Sequence, residues 1–221
     1  MSERVDGMLT ELEANLDSAR HPFTSASIAD RVYEAYVFSL VIAAALDAGA
    51  SVRYREGNGK EVTDLVFRGA PGVIHSNDPR WTFAVLAFGN APPLEVHVRV
   101  KIIGGRTRTE GECDVLILDH HTATTSRCGN KSPLASKCLA VIECKFYPGP
   151  LPVSLAREFA QLCHDRGNSV VGYFVSNQRS PMVCQTLAAT PNAVCEFGVL
   201  PGTRQKGHLT TLLREAFVGS A

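Results

Sequence analysis

Two short apolar runs, each carrying charge at one end, constrain the fold of this chain more than any other feature. The first is Gly111-Glu112-Cys113-Asp114-Val115-Leu116-Ile117-Leu118-Asp119; the second is Leu139-Ala140-Val141-Ile142-Glu143-Cys144-Lys145-Phe146. Runs of this length, rich in Val, Ile and Leu, read as strands buried on both faces. Asp114 stands where the first apolar run begins, and Glu143 and Lys145 lie two apart near the end of the second. Side chains alternate along a strand, so Glu143 and Lys145 point one way and Cys144 the other. If the runs pair as an antiparallel hairpin, Asp114 falls beside Glu143 and Lys145. That puts two carboxylates and one ammonium at a single spot. Charges on a buried strand are costly unless they have a task, and paired carboxylates are the usual protein contribution to a Mg²⁺ site acting on phosphate esters. The competing reading is ordinary charge at strand ends, where the chain leaves the core.

This arrangement resembles the PD-(D/E)XK nuclease superfamily. Its signature is an acidic residue on one strand, a loop of variable length, then acidic-x-Lys on the next strand. Asp114 matches the first element and Glu143-Cys144-Lys145 the second; the proline that names the motif is absent, Cys113 preceding Asp114. The resemblance implies an α/β fold with a restriction-endonuclease-like core, a central mixed β-sheet flanked by helices in αβββαβ order. It implies catalytic roles for Asp114, Glu143 and Lys145, and one or two Mg²⁺ or Mn²⁺ ions held by Asp114, Glu143 and the backbone carbonyl of Cys144. The implied activity is a metal-dependent endonuclease cutting DNA, in restriction, repair or defence. Two rival classes stand beside it: a nucleic-acid-binding module that has lost catalysis, and an interaction subunit of a larger complex.

The flanking segments supply the remaining elements. Ile28, Val32, Tyr36 and Leu40 recur at helical spacing, predicting a helix over Ile28–Asp47 with Ser27 as N-cap and Gly49 as its stop. Glu34 lies in this helix. The resemblance makes it a further catalytic and metal-reaching acid; the residues alone equally allow an exposed Glu pairing with Arg31. After the turn cluster Tyr147-Pro148-Gly149-Pro150, a helix is predicted over Val153–Arg166 and a buried strand over Ser169–Ser176. Gln161 sits in that helix, between Arg157 and His164, as a polar candidate near the site.

Leu94–Ile103 alternates almost strictly, with Val96, Val98, Val100 and Ile102 on one face and Glu95, His97, Arg99 and Lys101 on the other. Arg106 and Arg108 follow a Gly104-Gly105 turn. Arg99, Lys101, Arg106 and Arg108 thus form a basic stripe running towards Asp114, suited to a phosphate backbone; the solvent face of an antiparallel strand explains the same pattern. Further strands are expected at Glu61–Phe67 and Trp81–Phe88, separated by a loop around Pro71-Gly72 and Asn77-Asp78-Pro79. The span 120–137 reads as a long hairpin loop. His120-His121 suggest zinc, but neighbours on extended backbone diverge and no partner stands at ligand spacing.

Composition agrees with one globular domain over residues 1–221: 45% hydrophobic and 20% charged residues exclude wholesale disorder. The balance of 22 basic against 22 acidic residues argues against a protein that wraps long nucleic acid by charge alone. The start lacks the pattern of a signal peptide, and the apolar stretch Ala35–Leu46 is too short to span a bilayer. Seven cysteines without a CxxC pair suit reduced thiols in a cytoplasm. A homodimer or a place in a larger complex stays open.

Overall fold

The computed structural model describes residues 2–16, 19–76, 80–166 and 170–219. The Asn77-Asp78-Pro79 turn and Ser169 lie outside them. Seven strands form one mixed sheet in the order in which they occur along the chain. They are β1 (Ser51–Glu56), β2 (Thr82–Ala87), β3 (Leu94–Ile103), β4 (Glu110–Asp119), β5 (Cys138–Lys145), β6 (Val171–Ser176) and β7 (Ala193–Phe197). Neighbours from β1 to β5 are antiparallel, and β5, β6 and β7 are parallel.

Parallel neighbours need crossovers, here α4 (Val153–Arg166) and α5 (Pro181–Ala188). The other helices are α1 (Ser2–Asn15), α2 (Ala29–Asp47), α3 (His120–Cys128) and α6 (Arg204–Val218). On one face α1, α2 and α6 pack on Val96, Val98, Val115, Ile117, Ala140 and Ile142. On the other, residues of α3, α4 and α5 pack on Leu116, Leu118, Val141 and Phe174. Helix α2 is buried almost all round, from Val32 to Ala45, which explains why its sequence is apolar rather than amphipathic. Among the described residues no helix is long and apolar enough to cross a membrane.

Four expectations change. Ser27 does not cap α2; Ile28 holds the cap position without a side-chain bond, and the Ser27 hydroxyl instead accepts from Thr24 N–H. Glu61–Phe67 is no strand, because its backbone is divided among three partners: Val62 N–H donates to Tyr54 O, Thr63 O accepts from Arg20 N–H, and Val66 O accepts from Thr82 N–H. The span 120–137 is not a plain loop. Asp119 accepts from Thr122 N–H at 2.7 Å and so starts α3, and a 3₁₀ turn over Ala135–Lys137 leads into β5.

The fourth change is the largest. Val96 and Val98 lie in the core beneath α2, whereas Val100 and Ile102 lie in the core of the opposite face. Register with β4 is the same on either side of this point, β4 changes faces in step between Val115 and Cys113, and the inversion coincides with Arg99, whose φ is 54°. A β-strand residue in the left-handed region turns the strand over. The outer part of the β3–β4 hairpin therefore folds across the sheet. Ile103 bridges to Leu134, and Gly105 N–H donates to the carbonyl of Asp165 at the end of α4. The Asp165 carboxylate accepts from Arg106 N–H, Thr107 N–H and the Thr107 hydroxyl. Gly104 is required for this approach, since a Cβ there would stand 1.6 Å from Asp165 Oδ2.

Candidate active site

The β4–β5 ladder shifts register between Leu118 and Ile117, then runs from Ile117 opposite Ala140 down to Val115 opposite Ile142 and stops there. One step further, Asp114 and Glu143 would face each other. In place of a ladder bond, Asp114 Oδ2 accepts from Cys144 N–H at 2.8 Å. A carboxylate thus occupies the place of a backbone acceptor where the strands part. Arg99 lies across from Asp114 on β3, between the pairs Val98–Val115 and Val100–Cys113. The bend of the hairpin and the fraying of the ladder coincide at Asp114.

Glu143 and Lys145 share one side of β5. The Lys145 ammonium contacts Glu143 Oε1 directly and stands 3.7 Å from Asp114 Oδ2. Cys144 points the other way into the core that holds Tyr33 and Tyr36, where burial pushes its thiol well above the usual range. Beyond Lys145, the Asn177 amide clasps Tyr147, accepting from its N–H at 2.8 Å and donating to its carbonyl at 2.9 Å. That clasp ties the end of β5 to the end of β6. Nothing in the sequence marks it.

Glu34 is buried on α2, within reach of this group. Its partner is Arg99, whose Nε approaches Glu34 Oε2 to 3.1 Å; the two atoms are poorly aligned and neither has a hydrogen-bond partner. Arg31 is not involved in this pair. Burial raises Glu34 to about 8, with the Asp114 charge adding to the rise against Arg99 and Lys145. Burial likewise raises Glu143 to about 7, again with Asp114 adding and Lys145 opposing. For Lys145, burial works against the ammonium, but Glu143 and Asp114 outweigh it and hold the amine above its ordinary range. Three acids with two cations are thus crowded where water is scarce.

The expected basic stripe is not one surface. Arg99 is spent on Glu34 and on the carbonyl of Gly69. Lys101 pairs with Glu110 at 2.8 Å. The Arg106 guanidinium rests on His164, 3.0 Å from Nδ1. Arg108 is exposed in the turn with φ 61°. Gln161 borders a groove with Ile102, Gly104 and Thr107, over that same turn. Glu95 and His97, expected beside the stripe, are buried.

Among the described residues no three His, Cys, Asp or Glu side chains converge on a ready-made cation position. The donor set nevertheless fits a divalent cation. Asp114 and Glu143 offer hard oxygens, Glu34 keeps a buried oxygen without a bond, and the raised acids would be relieved by a positive charge. Comparison with family models, curated proteins and solved structures finds no match for this chain.

Proposed function

We propose that this chain is a divalent-cation-dependent nuclease of the PD-(D/E)XK type on a restriction-endonuclease-like core, cutting phosphodiester bonds in DNA. One observation carries the reading. Asp114, Glu143 and Lys145 meet at the point where the β4–β5 ladder opens, above the buried Glu34. The cation, Mg²⁺ or Mn²⁺, would be held by Asp114, Glu143 and the Cys144 carbonyl, with Glu34 reaching it through water. When bound, such an ion supplies a water of lowered pKa and offsets charge on the phosphate oxygens.

The chain's own residues do the rest. Asp114 is fixed by the Cys144 N–H, so its second oxygen is oriented without further cost. Lys145 remains an ammonium; it donates a hydrogen bond to the attacking water and to the anionic phosphate, rather than serving as a base. Freed from Glu143, it faces the position where negative charge develops.

A second reading is a catalytically silent nucleic-acid-binding or interaction subunit on the same scaffold. What favours it is the state of the cations, since Arg99, Lys101 and Arg106 are all engaged within the protein. A cleavage assay of purified protein on duplex DNA, single-stranded DNA and RNA separates the two. Expected is cleavage with Mg²⁺ or Mn²⁺, none in EDTA, and none with Asp114→Asn. Binding of Mn²⁺ without cleavage of any substrate would establish the silent module instead.

A further inference from the structure

A groove opens between α3 and the chain segment 131–137, with a volume of about 430 Å³, within the size range of small-ligand sites. His121, Thr122 and Thr125 from one side of α3, with Lys131, Ser132 and Lys137 opposite, form its rim. Half-buried Leu134 and buried Ser126 form the inner wall. The walls are firmly held. Asp119 caps α3 at one end, and Arg127 near the other is gripped by both oxygens of the buried Glu95.

The rim groups are unspent. Among the described residues, the ammonium groups of Lys131 and Lys137, the His121 ring and the hydroxyls of Thr122 and Thr125 have neither a hydrogen bond nor an ion pair. The nearby carboxylates are engaged elsewhere. Glu110 accepts from Ser132 and pairs with Lys101, and Asp119 is used by the helix cap. Two ammonium groups, an imidazole and two hydroxyls around an apolar wall match a compact oxyanion joined to an apolar body.

We propose that this groove is a second ligand site, for a small phosphorylated molecule of the nucleotide class. The phosphate lies between Lys131 and Lys137 with the Thr122 and Thr125 hydroxyls donating to it, and the base lies against Leu134. Lys137 precedes β5 and Lys145 ends it, a separation of roughly 26 Å at the ordinary strand rise. The site is therefore distinct from the candidate active site and does not rest on the nuclease reading.

Calorimetric titration of the full chain with ADP, at low salt and without divalent cations, tests this. Expected is one ADP per chain with a Kd below about 1 mM. Lys131→Gln combined with Lys137→Gln should weaken it at least tenfold, Thr125→Ala several-fold, and Lys145→Ala not at all. Both lysines and Thr125 are exposed, so these variants keep the fold, and Thr125→Ala probes the groove without a charge change. Absence of ADP binding at millimolar concentration, or unchanged affinity in the double variant, overturns the proposal. So does equal affinity for inorganic phosphate, which would leave the base without a role. A DNA oligonucleotide that binds through these lysines while ADP does not would reassign the groove to a phosphodiester backbone.

Discussion

Two buried carboxylate clusters lie on this sheet, and they are built on opposite terms. Glu95 on β3 is wholly buried, yet both its oxygens are fully satisfied. Arg127 forks onto them at 2.7 Å and 2.7 Å, His97 Nε2 lies at 2.7 Å and His120 Nδ1 at 2.6 Å. Phe83 stacks on His97 and also lies under the Arg127 guanidinium. Burial alone would raise Glu95, but the hydrogen bonds of Arg127 and His97 outweigh it and hold the acid at about 2. At the other cluster, Glu34 and Glu143 sit at about 8 and about 7, and Glu34 has an oxygen with no aligned donor. A complete network fixes a structure; an incomplete one stores an unmet demand for charge. Perturbation towards the neutral acid, beside a third carboxylate, is what the proposed cation would relieve.

Removing one partner from each cluster breaks the comparison most directly. Lys145→Ala or Glu143→Ala should lower cleavage about a thousandfold, the scale of deleting a preorganised charge from the transition state, while the melting temperature changes little. Arg127→Ala should do the reverse. It leaves a buried carboxylate without its main partner and should cost about 3 kcal/mol of stability, with turnover per folded molecule unchanged. Denaturant unfolding and a single-turnover assay on the same preparations check both. Near-wild-type cleavage by Lys145→Ala would remove the site assignment, and a stable Arg127→Ala would mean Glu95 finds another partner.

The clusters also respond to pH in opposite directions. Glu34 and Glu143 hold their protons more tightly folded than unfolded, where such acids titrate near 4.5. The stability they contribute is complete below about 4.5 and is lost as pH rises through about 7 to 8. Glu95 behaves oppositely, its contribution being complete above about 4.5 and lost as pH falls towards 2. His97, lowered by burial, adds to that acid-side loss from its ordinary 6.5 downwards. Melting temperature against pH, without metal, should flatten on the alkaline side in Glu34→Gln and on the acid side in Glu95→Gln. Mn²⁺ should raise the melting temperature more at pH 8 than at pH 5, because it binds the ionised acids. An equal rise at both would separate the raised acids from metal binding.

The two clusters were unequally legible in the sequence. The Asp114, Glu143 and Lys145 grouping follows from two apolar runs and the period of a strand, since antiparallel register carries one side chain to the other. The ranges of β2 to β6, α2 and α4 follow from the same periods, within a residue or a few at their ends. The Glu95 cluster has no such trace, because Arg127 lies 32 residues away on a helix whose sequence is rich in Thr and His. Those residues have low helix propensity, and the signal for α3 was instead the Asp119 cap three residues before Thr122. The inversion at Arg99 is invisible in principle. Val96, Val98, Val100 and Ile102 alternate without a break, and no glycine marks the left-handed residue. Strand β1 carries the same period-2 signal, with Arg53 and Arg55 alternating against Val52 and Tyr54.

The smallest expected effect tests the division between the two sides of β5. Cys144 stands between Glu143 and Lys145, so thiol chemistry at the site would need it to share their direction. It does not: its side chain is buried in the core with Tyr33 and Tyr36, and its thiol is driven upwards by burial first and by the surrounding carboxylates second. A protonated, enclosed thiol is a poor nucleophile and a poor metal ligand. Cys144 serves the site through its backbone, by the N–H that holds Asp114 and is lost only to proline, and by the carbonyl proposed for the cation. Cys144→Ala should therefore keep full cleavage and metal affinity and cost on the order of 1 kcal/mol, the loss of a small buried side chain. Loss of turnover in a Cys144→Ala protein that melts normally and binds Mn²⁺ as before would put the thiol on the catalytic side. The alternation that joins Glu143 to Lys145 would then fail along with the assignment built on it.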